Sequence, residues 1–172
     1  MPEYGKLLGE IMAQTWVTTT ASELKLDIPL VDNDHRILFD LFTDLEEATL
    51  AGEDVGIIGS FLNMIIEYSS YHFAREEALM SACCVDNLAE HKAEHRHILD
   101  GLLKLRKRYF SDNAQPLNKD EMNLCRAWLV DHISDWDETY CETLREHPDE
   151  VRAAGKNFAE NAAAFRDGNG FV

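Results

Sequence analysis

Residues 88–109 repeat at strict three-four spacing, through Leu88, His91, His95, Ile98, Leu102, Leu105 and Tyr109, which is the signature of one helical face. Such a face must be buried against others of its kind, so the chain is committed to packing helices. Three further segments carry the same period. Asp32 reads as the cap of a first helix whose inward line is His35, Leu38, Phe42 and Leu45, ending near Ala51-Gly52. Asp54 reads as the cap of a second, with Ile58, Leu62, Ile65, Ser69, His72, Glu76 and Leu79 facing inward, and Asp86 as the cap of the third. Pro116, in the loop "SDNAQPLN", halts any continuous helix, and Met122, Cys125, Leu129, His132 and Trp136 mark a fourth.

No sustained period-two stretch flanked by hairpin turns supports strands. Short connections between four such helices predict an all-α fold, an antiparallel up-down-up-down four-helix bundle over residues 27–146. Residues 1–26 form an N-terminal arm and residues 147–172 a C-terminal extension. In the extension Phe158, Ala162 and Phe165 share one side, Gly155 weakens a helix there, and "DGNG" ends it. Docking of this segment on the bundle and binding of a partner protein through the termini are both open, and the last few residues are expected to fray.

Sixteen basic against thirty-two acidic residues give a formal net charge of −16, which repels nucleic acid and anionic membrane surfaces. No apolar run has the length of a membrane span and the first residues lack a signal-peptide pattern, so a cytoplasmic, soluble protein is expected. The four cysteines, Cys83, Cys84, Cys125 and Cys141, form neither a disulfide framework nor a zinc-ribbon pattern, and read as free thiols.

The inner faces also hold residues that a core normally excludes: His35, His72, Glu76, His91, His95 and His132, with Asp137 five residues beyond the last. One inward histidine is ordinarily a hydrogen-bonded core residue. Here the histidines fall at one height. Around a turn spanning 80–87, His72 and His95 each stand eight residues from its ends, and Glu76 and His91 each four. His35 and His132 match that level to within a few ångströms at about 1.5 Å of rise per residue. Five imidazoles and two carboxylates in one dry layer cannot satisfy one another without large desolvation costs, and a metal centre removes the difficulty. Seven ligands exceed what one ion takes, whereas two ions sharing the two carboxylates would be nearly filled. Imidazole and carboxylate without thiolate suit iron or manganese. The pairs His72/Glu76 and His91/His95 are i,i+4 and share a face; Asp137, at i+5 from His132 and about 140° round an α-helix, is expected to approach from the side, as a bridge.

The motifs "VDNDH" (31–35), "HFAREE" (72–77), "HKAEH" (91–95) and "HISDWD" (132–137) resemble the H…HxxxE…HxxxH…HxxxxD signature of the hemerythrin family, and most closely its bacterial branch, the bacteriohemerythrins. The likeness spans roughly residues 24–145 and fills all seven ligand positions. It implies one iron held by His91, His95 and His132 and another by His35 and His72, with Glu76, Asp137 and an oxo or hydroxo group bridging them. Oxygen would bind at the open position of the two-histidine iron, in a pocket shielded by Leu129, Trp128 and Phe73. The tryptophan often found just before "LDIPLVD" in bacterial members is displaced here to Trp16. His97 and His147 lie off the layer and are expected to face solvent, as are Glu77 and Asp135, for which a hydrogen bond to a ligand imidazole is the other role weighed.

The resemblance implies reversible oxygen carriage, storage or delivery without turnover, because the ligand set is richer in histidine than that of di-iron enzymes. An oxygen or redox sensor acting through a partner protein is the second reading, and a di-iron enzyme handling peroxide or nitric oxide the third.

Overall fold

A computed structural model describes residues 19–111 and 117–166, and every regular element in that range is helical. Helix α1 spans Pro29–Ala51, α2 Val55–Ala82, α3 Leu88–Tyr109 and α4 Lys119–Asp131. The last continues through a π-helical turn, His132–Asp137, into α5, Glu138–Glu146, so these three pieces form the fourth rod of the bundle. Helix α6, Pro148–Arg166, folds back against the outside. Side-chain pairs run in opposite senses along neighbouring rods: Glu77 meets His95 while Asn63 meets Arg106, and Gly101 meets Trp128 while Arg108 meets Glu121. The bundle is therefore antiparallel, as the short connections require.

The helix ends are set by local chemistry, in part differently from the sequence reading. Asp54 caps α2, accepting from the N–H groups of Gly56 and Ile57. Asp32 is not a cap: α1 begins earlier, at Pro29, whose missing N–H costs nothing in a first turn, and the Asp32 carboxylate accepts the N–H of Leu26 at 2.7 Å. Asn87, not Asp86, precedes α3, and its amide donates to Thr139 Oγ1 at 3.0 Å. Asn118 and Glu121 form a reciprocal capping box at the start of α4. Gly52 ends α1 in the left-handed conformation, φ 71°. Pro116, Trp16 and the final six residues lie outside the described range.

Most of the inward lines are buried as the periodicity requires, with Ile65, Leu79, Met80 and Ile133 wholly enclosed, while Leu88, Leu105 and Trp136 are half-buried. Cys83, Cys125 and Cys141 are buried, Cys84 is exposed, and all four are free. Among the described residues no helix is long and apolar enough to cross a membrane.

Among the described residues, Gly59, Gly101 and Gly155 admit close packing. A Cβ on Gly155 would stand 2.5 Å from Leu30 Cδ1. The residue expected to weaken a helix is thus buried mid-helix, where its missing side chain lets α6 seat against α1 and α2 through Val151, Ala154 and Phe158. On Gly101 a Cβ would come within 2.7 Å of Trp128 Cη2. Replacing Gly101 by Ala should gain about 1 kcal/mol of helix propensity and lose more to overpacking against a rigid indole. A net loss of about 1 kcal/mol is expected by thermal melting, and it should disappear when Trp128→Leu is combined with Gly101→Ala.

Candidate metal centre

All seven inward polar residues reach one layer of the core, and each is at least 98% buried. They fall into two groups. Single donor atoms from Glu76, His91, His95, His132 and Asp137 lie within 4.8 Å of one another, and donor atoms from His35, His72 and Asp137 do the same. Asp137 belongs to both. Its Oδ1 stands 3.0 Å from His132 Nε2 and 3.4 Å from His91 Nε2, while its Oδ2 stands 3.1 Å from His35 Nε2. Glu76 also spans the groups, with Oε1 3.5 Å from His91 Nε2 and Oε2 3.3 Å from His95 Nε2 and 3.5 Å from His72 Nε2.

The reach of Asp137 corrects the α-helical projection. At i+5 it would stand well round the helix from His132, but the backbone over these six residues is π-helical, the form whose bonds close at i+5. That widened turn puts His132 and Asp137 on one face.

The donor set leaves many atoms unsatisfied. His35 Nδ1 and Nε2, His72 Nε2, Glu76 Oε2, His91 Nδ1 and Nε2, His132 Nδ1 and both Asp137 oxygens are buried without a hydrogen bond. His95 and His132 point their Nε2 atoms at each other across 3.1 Å. Orphaned polar atoms cost on the order of 1–3 kcal/mol each, more when charged. Imidazole nitrogens and carboxylate oxygens converging from four rods, with no thiolate among them, fit divalent iron or manganese.

Burial raises the Glu76 carboxyl and Asp137 adds to that rise, but the imidazoles of His91 and His95 outweigh both and hold it down at about 2. His91 is the converse: burial lowers it, yet Asp137 and Glu76 lift it to about 9. His72 is lowered, chiefly by burial.

Around the layer stand groups that bind its members from outside. Glu77, expected in solvent, is 2.9 Å from His95 Nδ1 with Lys92 behind it. Asp34, unnoticed in the sequence reading, is 1% exposed and accepts from Tyr68 Oη at 2.7 Å and Arg75 Nε at 2.9 Å, with His72 Nδ1 at 3.4 Å. Burial would raise its carboxyl, but the His72, Arg75 and Tyr68 hydrogen bonds hold it below the usual range. The Tyr140 hydroxyl donates to Glu76 Oε1. A signal existed: Tyr68 and Arg75 stand four before and three after His72, and Tyr140 three after Asp137, so each shares a face with a candidate ligand. Asp34 precedes His35 directly, a spacing that helical periodicity assigns to another face.

Phe73 stacks on His95 with ring centroids 4.0 Å apart and meets His132 edge-on. Leu129 is buried one turn before His132. Trp128 lies across Gly101 and lines a surface groove with His97 and Leu105, whereas Trp136 makes an edge contact with His91 at 6.1 Å. His97 and Asp135 are exposed. His147 is half-buried at the end of α5, its Nδ1 donating to the Thr143 carbonyl at 2.8 Å.

A family model described as the Hemerythrin HHE cation binding domain matches residues 26–144. The chain belongs to the hemerythrin family. It is 32% identical over 124 residues to a bacteriohemerythrin from Methylococcus capsulatus, covering 72% of this chain and 93% of that one. It is 29% identical over 122 residues to myohemerythrin-1 of Phascolopsis gouldii, covering 66% and 95% respectively. Among solved structures, wild-type hemerythrin superposes with a TM-score of 0.66 at 31% identity, covering 74% of this chain and 96% of that one. Hemerythrins are in general oxygen-binding non-haem iron proteins with a di-iron centre. Helix α6 lies outside the matched region.

With His91 lifted to about 9, the metal-free protein holds a proton there at neutral pH, and a metal ion must displace it. Metal uptake at pH 7 should therefore release protons, measurable with a pH indicator, and apparent affinity should rise as pH climbs from about 6 toward 9.

Proposed function

We propose that this chain reversibly binds dioxygen, for carriage, storage or delivery and without turnover, at a di-iron centre held by His35, His72, Glu76, His91, His95, His132 and Asp137. The observation that carries this reading is the sharing of Asp137 by two donor groups of unequal size, one with three imidazoles and one with two. In this assignment His91, His95 and His132 would hold one ion and His35 and His72 the other, with Glu76 and Asp137 available to both. The smaller histidine set would leave room for a small molecule. Iron bound there supplies the reversible electron exchange with dioxygen.

The surrounding side chains supply dryness and order. Water and protons at such a centre would drive it toward irreversible oxidation. Phe73 stacks on the His95 ring and meets His132 edge-on, Leu129 is buried one turn before His132, and Trp128 packs over Gly101 between α3 and α4. The Tyr140 hydroxyl holds one Glu76 oxygen and leaves Oε2 turned toward His72 and His95. A cytoplasmic location and the division into an arm (1–26), a bundle (27–146) and an extension (147–172) complete the reading.

Sensing of oxygen or redox state for a partner protein is a second reading, favoured by one observation: α6 lies beyond the matched domain and still packs on α2. Carriage requires that oxygen be released unchanged, which enzymatic turnover does not; a reversible sensor shares that requirement.

After anaerobic loading with ferrous iron, both irons should be retained and the visible spectrum should change reversibly through cycles of air and argon. Irreversible oxidation would overturn carriage. His72→Ala should lose the second iron and oxygen binding, whereas His97→Ala, altered at an exposed position, should keep both. Equal iron content and equal oxygen spectra in these two variants would remove the ligand assignment.

A further inference from the structure

Nδ1 of an imidazole whose Nε2 faces a metal must carry the proton, and a carboxylate accepting it fixes the ring and raises its basicity. Of the five inward imidazoles, His35, His91 and His132 have a buried, unpartnered Nδ1, whereas His95 faces Glu77 and His72 faces Asp34. The two carboxylates differ. Glu77 is 24% exposed and sits beside Lys92 at the surface. Asp34 is enclosed and held from three sides: the Tyr68 hydroxyl, the Arg75 guanidinium and the His72 ring.

Arg75 is fixed in turn. Its Nη2 donates to the Leu30 carbonyl at 3.2 Å, its Nη1 is 3.4 Å from Tyr71 Oη, and its guanidinium lies 5.1 Å from the Tyr71 ring. Tyr71 packs against Phe158 of α6, with centroids 5.2 Å apart. Contacts thus run without a gap from Phe158 through Tyr71, Arg75 and Asp34 to His72, and they originate outside residues 26–144, the span matched to the family.

We propose that Asp34 and Arg75 are positioning residues for His72, seated by α6 through Phe158 and Tyr71, so that the C-terminal extension sets metal affinity at the two-histidine half of the centre alone. A carboxylate locked by an arginine cannot swing away from the imidazole, so the His72 ring is presented at fixed orientation before any ion arrives. His91, His95 and His132 touch no member of this unit through their outer nitrogens, which is why the effect is confined to one half. The inference rests on the ligand assignment proposed above.

Cobalt(II), titrated anaerobically into the metal-free full-length protein, separates the two ideas. The wild type should take two ions. Asp34→Asn should keep the first at wild-type affinity and weaken the second about 10- to 100-fold, the usual cost of removing an outer hydrogen-bond partner. Phe158→Ala should weaken the same ion by a smaller factor. In the proton NMR spectrum of the cobalt form, one shifted, solvent-exchangeable imidazole N–H should move in both variants, a signal that general loosening of the fold would not single out. If Asp34→Asn fails to fold by circular dichroism, Tyr68→Phe, which keeps the carboxylate and its arginine, should still weaken the second ion selectively. Unchanged second-ion affinity, or equal weakening of both ions, would overturn the proposal. A wild type that binds fewer than two ions would instead overturn the ligand assignment on which it rests.

Discussion

Five imidazoles and two carboxylates enclosed in one layer of an otherwise apolar bundle impose the constraint on which the structure depends. Groups of this kind lose strong hydration on burial, and geometry denies them adequate partners among themselves: Asp137 has both oxygens orphaned with imidazole nitrogens at 3.0–3.4 Å. A divalent cation would turn the same convergence from a cost into binding energy, because lone pairs aimed at the centre are potential ligands. The apolar residues packed around it, Leu38, Ile65, Leu102 and Ile133 among them, hold the four rods together and so bring these groups to one level.

Local backbone form serves the same end. The i+5 spacing of His132 and Asp137 would waste the carboxylate in a regular helix, and the π-helical turn restores it to the inner face. Outside the layer, two carboxylates orient two of the imidazoles, one from the exposed rim and one from a locked interior position. The result is an asymmetric site, with three imidazoles on one side and two on the other. Its two-histidine side is connected through Arg75 and Tyr71 to a helix beyond the bundle.

Much of this was legible in the residue order because helical periodicity is a local property. The inward lines, the Asp54 cap, the Gly52 stop and the common height of the histidines all follow from counting along one helix or across one short turn. Reading failed where a residue's role is set by a second element. Asp32 matches the pattern of a cap, but its carboxylate binds the Leu26 N–H, while Pro29 starts the helix a turn earlier. Sequence alone leaves Glu77 between solvent and an imidazole partner, because that partner, His95, belongs to the facing rod. Asp34 carries no signal in residue order, because Tyr68 and Arg75, which enclose it, are both on α2. Gly155 reads as weakening its helix, because only the neighbouring Leu30 gives its missing side chain a purpose.

The sequence by itself determined the four-rod architecture, the family and the seven residues that meet in the core, since each rests on spacing within a helix or on a motif of contiguous residues. Tertiary structure alone decided which oxygen of Asp137 faces which imidazole, which imidazoles gain an outer carboxylate, and that the C-terminal helix docks onto α2 instead of projecting away. Those are contacts between elements distant in the chain. Their energies depend on distance and burial, and neither is written in residue order.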